Sequence, residues 1–160
     1  MPSFTPYIAT TAGTVACAVA GSIASDPNSL YYKSLKKPDW NPPNQVFPIA
    51  WTALYTDIAA TSGLVLSQLK QRGRKKDARA YSIALATNLV LNASWSYTFF
   101  RSHNMGGLAS LHAGVLAVSS ADLVRRTATV SMPAAAALAP YAGWTGFATA
   151  LSTKFWQLNK

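Results

Sequence analysis

The first long segment of the chain, residues 4–25, contains no charged side chain. A helix of this length, at about 1.5 Å per residue, spans roughly 30 Å, the hydrocarbon thickness of a bilayer. A signal peptide is the alternative interpretation, because Ala16–Ala18 resembles a cleavage site. The basic region that should precede such a site is missing, however. We therefore predict that residues 4–25 form a retained transmembrane helix.

The charged residues of the remaining chain are few and clustered. Fourteen Lys and Arg face five acidic residues, all of them Asp, and only 12% of the 160 residues are charged. The basic residues lie in clusters between long uncharged segments, which is typical of membrane proteins and unlike a nucleic-acid-binding surface. We expect the run at 70–79 to lie beside lipid headgroups. The lipid bilayer is thus an expected partner, and nucleic acid is not.

The spacing of the uncharged segments predicts an all-α integral membrane protein. We expect a single domain over 1–160, a bundle of five transmembrane helices joined by short polar segments. Pro140, in the middle of the last helix, predicts a kink there. A multi-pass protein of this kind would lie in a cell-envelope membrane of a bacterium, or in the mitochondrial outer membrane or another organelle membrane of a eukaryote. The predicted helices are about 4–25, 44–69, 78–100, 105–124 and 132–157.

A proline-rich segment, residues 26–43, separates the first two predicted helices. Pro38, Pro42 and Pro43 fix φ and lack a backbone donor, so 36–43 is neither an interior helix nor a central strand. We predict a stiff, extended lid. Pro48 then falls within the first turn of the second helix, where its missing N–H costs little.

Three of the predicted helices each carry a stripe of aromatic and amide side chains. Amides cannot face lipid unpaired, so the two asparagines should point into the bundle or into a cavity. For Asn88, hydrogen bonding between helices and contact with a ligand both remain open, whereas Asn92 is flanked by aromatic residues that favour contact with a ligand. Together the stripes predict a shared cavity. Their members are Phe47, Trp51 and Tyr55; Asn88, Asn92, Trp95 and Phe99; and Tyr141, Trp144, Ala148, Leu151 and Phe155.

The chain lacks the usual signatures of soluble enzymes. Cys17 is the single cysteine and cannot form an internal disulfide, and His103 and His112 have no ligand partners at metal-site spacing. We interpret both histidines as loop or packing residues. No glycine-rich phosphate loop, nucleophile elbow or carboxylate pair is present. We expect no metal and no required cofactor.

Four motifs along the chain resemble one known family. They are Lys37–Pro43 (KPDWNPP), Phe47–Tyr55 (FPIAWTALY), Leu91–Phe100 (LNASWSYTFF) and Pro140–Trp144 (PYAGW). In order and spacing they resemble the TspO/translocator protein family, the tryptophan-rich sensory proteins and peripheral benzodiazepine receptors. The resemblance covers essentially the whole chain.

The resemblance implies a five-helix bundle, commonly a homodimer, with a pocket beneath the first loop. Family members bind porphyrins, including protoporphyrin IX and haem, and isoquinoline or benzodiazepine drugs. Trp40, Pro42 and Pro43 would belong to the lid. The positions that the motifs assign to the pocket are Trp51, Asn92, Trp95, Phe99 and Trp144, with Tyr55 and Ala148 adjoining.

The resemblance therefore predicts a membrane receptor for porphyrins and isoquinoline- or benzodiazepine-type ligands, linked to tetrapyrrole regulation or oxidative stress. One alternative is light-dependent porphyrin degradation, with Trp51 and Trp144 as candidate catalytic residues; another is porphyrin or sterol transport. Two departures bear on these alternatives. Tyr31 stands where the family often has Trp, which weakens the photochemical role, and the residues after Leu151 do not match the cholesterol motif of animal members.

Overall fold

The computed structural model describes residues 4–102 and 106–160, and within these ranges the chain is helical and has no strand. The role predicted for His103 lies outside the described residues. The described residues form six helices in order: α1 (Thr5–Ala24), α2 (Leu30–Ser34), α3 (Val46–Gln71), α4 (Lys75–Arg101), α5 (Gly106–Ala128) and α6 (Met132–Asn159).

The five long helices begin and end within four residues of the predicted bounds. The helix that the sequence did not predict is α2, which lies inside the proposed lid. Its N-terminus is capped by Ser29, whose Oγ accepts a hydrogen bond from the Tyr32 amide at 3.2 Å. Residues 36–43 are free of helix, as the prolines predict. The lid is therefore one helical turn followed by a non-helical segment. This segment is not fully extended as predicted, because the Asn41 amide donates to the Pro38 carbonyl at 2.9 Å and closes a tight turn.

Three of the helices are long and apolar enough to cross a membrane: α1, α3 and residues 107–128 of α5. The mean hydropathy of α4 is lowered by its charged first turn and by the amides of Asn88 and Asn92. Both amides are buried inside the bundle, at 0% and 3% exposure. When polar side chains of a helix face its neighbours, the mean hydropathy of the whole helix is lower than that of its outward-facing side chains.

The first helix lies against α3 and α4 and approaches α3 very closely. A Cβ added to Gly63 would stand 2.5 Å from the Tyr7 ring, so the contact requires glycine. Thr10 Oγ1 also donates to the Ala59 carbonyl across this contact at 2.9 Å. A glycine of α3 thus allows the close approach of α1, as expected between helices in lipid.

The other long helices complete a ring in which α3 contacts α6, α6 contacts α5, and α5 contacts α4. Pro140 does not interrupt α6, which is continuous from Met132 to Asn159. At the opposite end from the lid, α3 and α4 are joined by a tight turn in which Gly73 has φ +67°. The lid and the C-terminal end of α6 share one end of the bundle, and the basic turn lies at the other.

Candidate ligand-binding cavity

A cavity of about 380 Å³ lies between α1, α3, α4 and α6, below the lid. None of the described residues of α5 lines it, because α5 packs behind α4 and α6. The lining is mostly apolar and aromatic, as is usual for small-molecule sites. Seven of the predicted site residues line it: Trp51, Tyr55, Asn92, Trp95, Phe99, Trp144 and Ala148.

Aromatic rings form two walls of the cavity. On α3, Trp51 stacks on Tyr55 with ring centroids 5.3 Å apart, and it meets Trp144 of α6 edge-on at 6.4 Å and 90°. On α4, Trp95 stacks on Phe99 at 5.3 Å. The Trp95 indole N–H donates to the Ala109 carbonyl at 3.3 Å, which fixes the ring. Rings packed at these angles and distances stabilise each other and offer flat apolar faces.

A chain of hydrogen bonds runs from the cavity into the bundle, with every donor pointing the same way. The Tyr55 hydroxyl donates to Asn92 Oδ1 at 2.9 Å, and Asn92 Nδ2 donates to the Tyr141 hydroxyl at 2.9 Å. The Tyr141 hydroxyl donates to Asn88 Oδ1 at 2.7 Å, and Asn88 Nδ2 donates to Ser120 Oγ at 3.1 Å. Hydrogen bonds aligned in this way polarise and strengthen one another. They hold Tyr55 and Asn92 in one orientation at the cavity wall.

The chain also explains why two predicted site residues do not line the cavity. Asn88 and Tyr141 are 0% exposed, and they lie one layer behind the wall that Asn92 and Tyr55 form. For Asn88 the structure shows the interhelical hydrogen bonding that the sequence left open. Tyr141 is a turn away from Trp144 on the same stripe, but its hydroxyl is occupied by both asparagines.

The lid lies over the cavity through aromatic contacts. Trp40 meets Phe147 of α6 edge-on at 5.8 Å, and Tyr32 of α2 is buried against Phe99 and Phe155. Burial raises the pKa of the Tyr32 phenol above its ordinary value, so the group stays neutral. Pro42 and Pro43, which the sequence placed in the lid, do not line the cavity.

Two hydrogen bonds to α6 fasten the lid at its basic segment. The Asn159 side chain of α6 bonds to Lys36 in both directions: Oδ1 accepts from the Lys36 amide at 2.8 Å, and Nδ2 donates to its carbonyl at 2.9 Å. The Lys37 ammonium lies 4.3 Å from the centroid of the Tyr32 ring. Positive charge therefore lies near the rim of the cavity.

Sequence reasoning missed several small polar residues of the cavity. Ser22 of α1, Ser96 of α4 and Ser152 of α6 line it, and no hydrogen bond to another described residue occupies their hydroxyls. Serine gives no periodic signal that separates a cavity wall from a helix contact. Ser96 was detectable only by its position among aromatic residues of α4.

The donor groups of the cavity do not resemble a metal site. No His, Cys or Met is among the described lining residues, and no group of three His, Cys or acidic side chains assembles in the described part of the chain. His112 lies on α5, where its ring contacts the Thr98 hydroxyl at 3.0 Å and the Leu91 carbonyl at 2.9 Å. It packs α5 against α4, as the sequence predicted.

Apolar spanning helices around an aromatic cavity define the chain as a helical membrane protein with a small-molecule-sized pocket. It belongs to the TspO/MBR family, whose profile matches residues 8–157. The chain is 35% identical to the tryptophan-rich protein TspO of Chlorobaculum tepidum over 91% of its length and 90% of that relative. It is also 35% identical to the translocator protein of Ovis aries, over 81% of this chain and 75% of that protein. Protein CrtK of Rhodobacter capsulatus is 32% identical over 91% and 89% of the two chains.

Proposed function

We propose that this chain is a membrane receptor that binds planar aromatic ligands, porphyrins first among them, in the cavity beneath the lid. The observation that carries the proposal is the pair of aromatic walls, Trp51 with Trp144 and Trp95 with Phe99, around an apolar space. Flat rings bury large apolar area against such walls. Isoquinoline and benzodiazepine ligands are flat and apolar too, and belong to the same proposal.

The shape of the cavity and the positive charge near its rim support a porphyrin as the ligand. At about 380 Å³ it is at the lower end of the range for small-molecule sites, and it is not fully enclosed. The acidic edge of the macrocycle would then lie outside, near Lys33, Lys36 and Lys37 of the lid. Because the described lining residues include no His, Cys or Met, we expect no such protein ligand on the iron of a bound haem. Free-base porphyrin is therefore expected to bind about as well as haem.

We further propose that all five long helices cross the membrane. The two amides of α4, Asn88 and Asn92, face its neighbours, and its exposed residues include Ile83 and Val90. The helix is therefore more apolar outside than its average composition indicates. Which membrane holds this chain, a bacterial envelope or an organelle membrane, remains an expectation, because the relatives come from both bacteria and animals.

The binding test is a titration of the purified protein in detergent with protoporphyrin IX, in the dark, followed by tryptophan fluorescence. We expect saturable quenching, and two- to tenfold weaker binding for Trp51→Phe and for Trp144→Phe, because each loses part of a stacked face. Trp156→Phe is the matched control, since Trp156 is 42% exposed and does not line the cavity. Equal affinity in all three variants would place the site elsewhere.

The perpendicular contact of Trp51 with Trp144 supports one alternative, light-dependent porphyrin degradation. The same samples test it under illumination. Loss of porphyrin absorbance in light, abolished by Trp51→Phe together with Trp144→Phe, would favour the alternative. Binding with stable absorbance would favour the receptor. Transport has less support, because the five helices contain no internal repeat of the kind that transporters use.

A further inference from the structure

A second concave site lies on the outer surface of the bundle, far from the cavity, between α4 and α5. The groove has a volume of about 360 Å³ and lies near the basic end of the bundle. We propose that it binds one anionic phospholipid, with the phosphodiester at Arg126 and the acyl chains along the two helices. Its described lining residues are Ala80, Ile83, Ala84, Thr87, Ser119, Asp122 and Arg126.

The arginines at the groove are held in place by one carboxylate. Asp122 Oδ1 accepts from Arg125 Nη2 at 2.6 Å, and Oδ2 accepts from Arg126 Nε at 2.6 Å. Two guanidinium groups share one carboxylate, so the triad keeps one net positive charge. The terminal nitrogens of Arg126 have no hydrogen-bond partner among the described residues. A preoriented guanidinium with free N–H groups is well suited to bind a phosphate oxygen pair.

Two further cations lie beside the mouth of the groove on α4. Lys76 precedes Ala80 by four residues and Arg79 precedes Ile83 by four, so each lies one turn beyond a lining residue on the same face. Both are exposed, and neither forms an ion pair within the described ranges. Each basic residue near a membrane surface raises the affinity for anionic lipid by about fivefold. The mouth is thus complementary to a negative headgroup.

The depth of the groove matches the order of groups along a phospholipid. Arg126 is folded back onto Asp122, and Ser119 lies one turn deeper, roughly 4.5 Å along α5. The Ser119 hydroxyl accepts from Asn88 Nδ2 at 3.2 Å, and its own proton has no acceptor among the described residues. It is therefore free to donate to a glycerol ester carbonyl below the phosphate. Thr87 faces the same level of the groove.

Apolar side chains continue the groove toward the middle of the bundle. Val90 of α4 is 67% exposed and Val115 of α5 is 47% exposed, and both lie beyond the Ser119 level. Acyl chains are the natural cover for such a surface. A free phosphate ion would use the arginines but leave this surface bare. For this reason we assign the groove to a lipid.

The test uses native mass spectrometry of the detergent-purified protein with phosphatidylglycerol or phosphatidylcholine carrying identical acyl chains. We expect one phosphatidylglycerol to be retained at least fivefold more tightly than phosphatidylcholine. Arg126→Gln should reduce this preference about fivefold. Lys70→Gln is the control, because it removes one positive charge at the same end of the bundle outside the groove. Equal losses in the two variants would mean that only general surface charge acts, and would overturn the site.

A second variant tests the shape of the groove independently of its positive charge. Ala80→Phe fills the mouth from an exposed position and leaves every arginine in place, and it should weaken retention of phosphatidylglycerol by about fivefold while thermal unfolding stays unchanged. Glycerol 1-phosphate, which has the headgroup charge without acyl chains, should not displace the lipid at millimolar concentration. Unchanged retention in Ala80→Phe, or displacement by glycerol 1-phosphate, would overturn the proposal.

Discussion

The Tyr141 hydroxyl is the central link of the hydrogen-bond chain behind the cavity. It accepts from Asn92 and donates to Asn88, and all three side chains are at most 3% exposed. In Tyr141→Phe the ring remains but both asparagines lose a partner. A buried polar group without a partner costs about 1–3 kcal/mol. We therefore expect the thermal unfolding temperature in detergent to fall by several degrees.

Tyr97→Phe is the matched control for that experiment. Tyr97 is on the same bundle, in α4, but is 61% exposed, and its hydroxyl has no hydrogen bond to another described residue. Its removal should leave the unfolding temperature within experimental error. Equal unfolding temperatures for Tyr141→Phe and the parent protein would contradict the strength that we assign to the chain.

At the scale of single residues, periodicity predicted which side of each helix faces inward but not how deep each residue lies. Trp51, Asn92 and Trp144 were placed at the cavity because large or amide side chains mark the inner face. Asn88 lies one turn from Asn92 on that face, but its side-chain amide donates to Ser119 and Ser120 of α5. Such a neighbour on another helix is invisible in the spacing of one helix. Whether the lining residues bind a ligand remains a prediction.

At the scale of helices, Gly63 tests the close approach of α1 to α3. In Gly63→Ala the new Cβ would stand 2.5 Å from Cδ1 and 3.0 Å from Cγ of Tyr7, next to the root of that ring. Overpacking of this kind costs about 1–3 kcal/mol, which exceeds the gain of about 1 kcal/mol from alanine in a helix. We expect a lower unfolding temperature.

Gly146 provides the comparison, because a Cβ there meets nothing within 4 Å. Gly146→Ala should leave the unfolding temperature unchanged or raise it slightly, through the helix propensity of alanine. If Gly63→Ala behaved in the same way, the α1–α3 contact would be looser than the structure has it.

The hydrogen bonds between Asn159 and Lys36 predict a kinetic role for the end of α6. Asn159→Ala removes both bonds that hold the lid to α6 and leaves the cavity lining intact. We expect faster release of bound protoporphyrin IX, by a few-fold, as a more mobile lid opens more often. Stopped-flow fluorescence after dilution measures the rate. Gln157→Ala, an exposed change on the same turn, should leave the release rate unchanged. Equal rates in both variants would argue against a role of the Asn159–Lys36 hydrogen bonds in holding the lid.

The long helices were predictable from their uncharged stretches, whereas the short helix α2 inside the lid was not. Residues 26–43 hold too few positions for periodicity to identify α2, whose single turn depends on the Ser29 cap and on the burial of Tyr32. Pro140 lies inside α6, which is continuous on both sides of it, and the bend that this proline favours remains a prediction.

At the scale of the whole molecule, the chain leaves apolar residues on its outer surface. Ile8 and Ile23 of α1 and Leu111 and Val118 of α5 are 65–73% exposed. Lipid covers such residues in a membrane, and a second copy of the chain would cover part of them in the expected homodimer. The exposed residues of one protomer do not distinguish contact with lipid from contact with a second copy, so the homodimer remains a prediction.

The number of membrane crossings can be tested with two positions. If all five long helices cross, the turn at Gly73 and the turn at Ser131 lie on the same side of the membrane, because α4 and α5 carry the chain out and back. If only the three most apolar helices cross, α5 alone separates the two turns and they lie on opposite sides. We expect Lys75→Cys, at an exposed position beside the Gly73 turn, and Ser131→Cys, made separately, to react with an impermeant maleimide from the same side of sealed vesicles. Cys17 is 5% exposed and should not react, so it can remain. Labelling from opposite sides would contradict the five-helix bundle and leave α4 outside the membrane core.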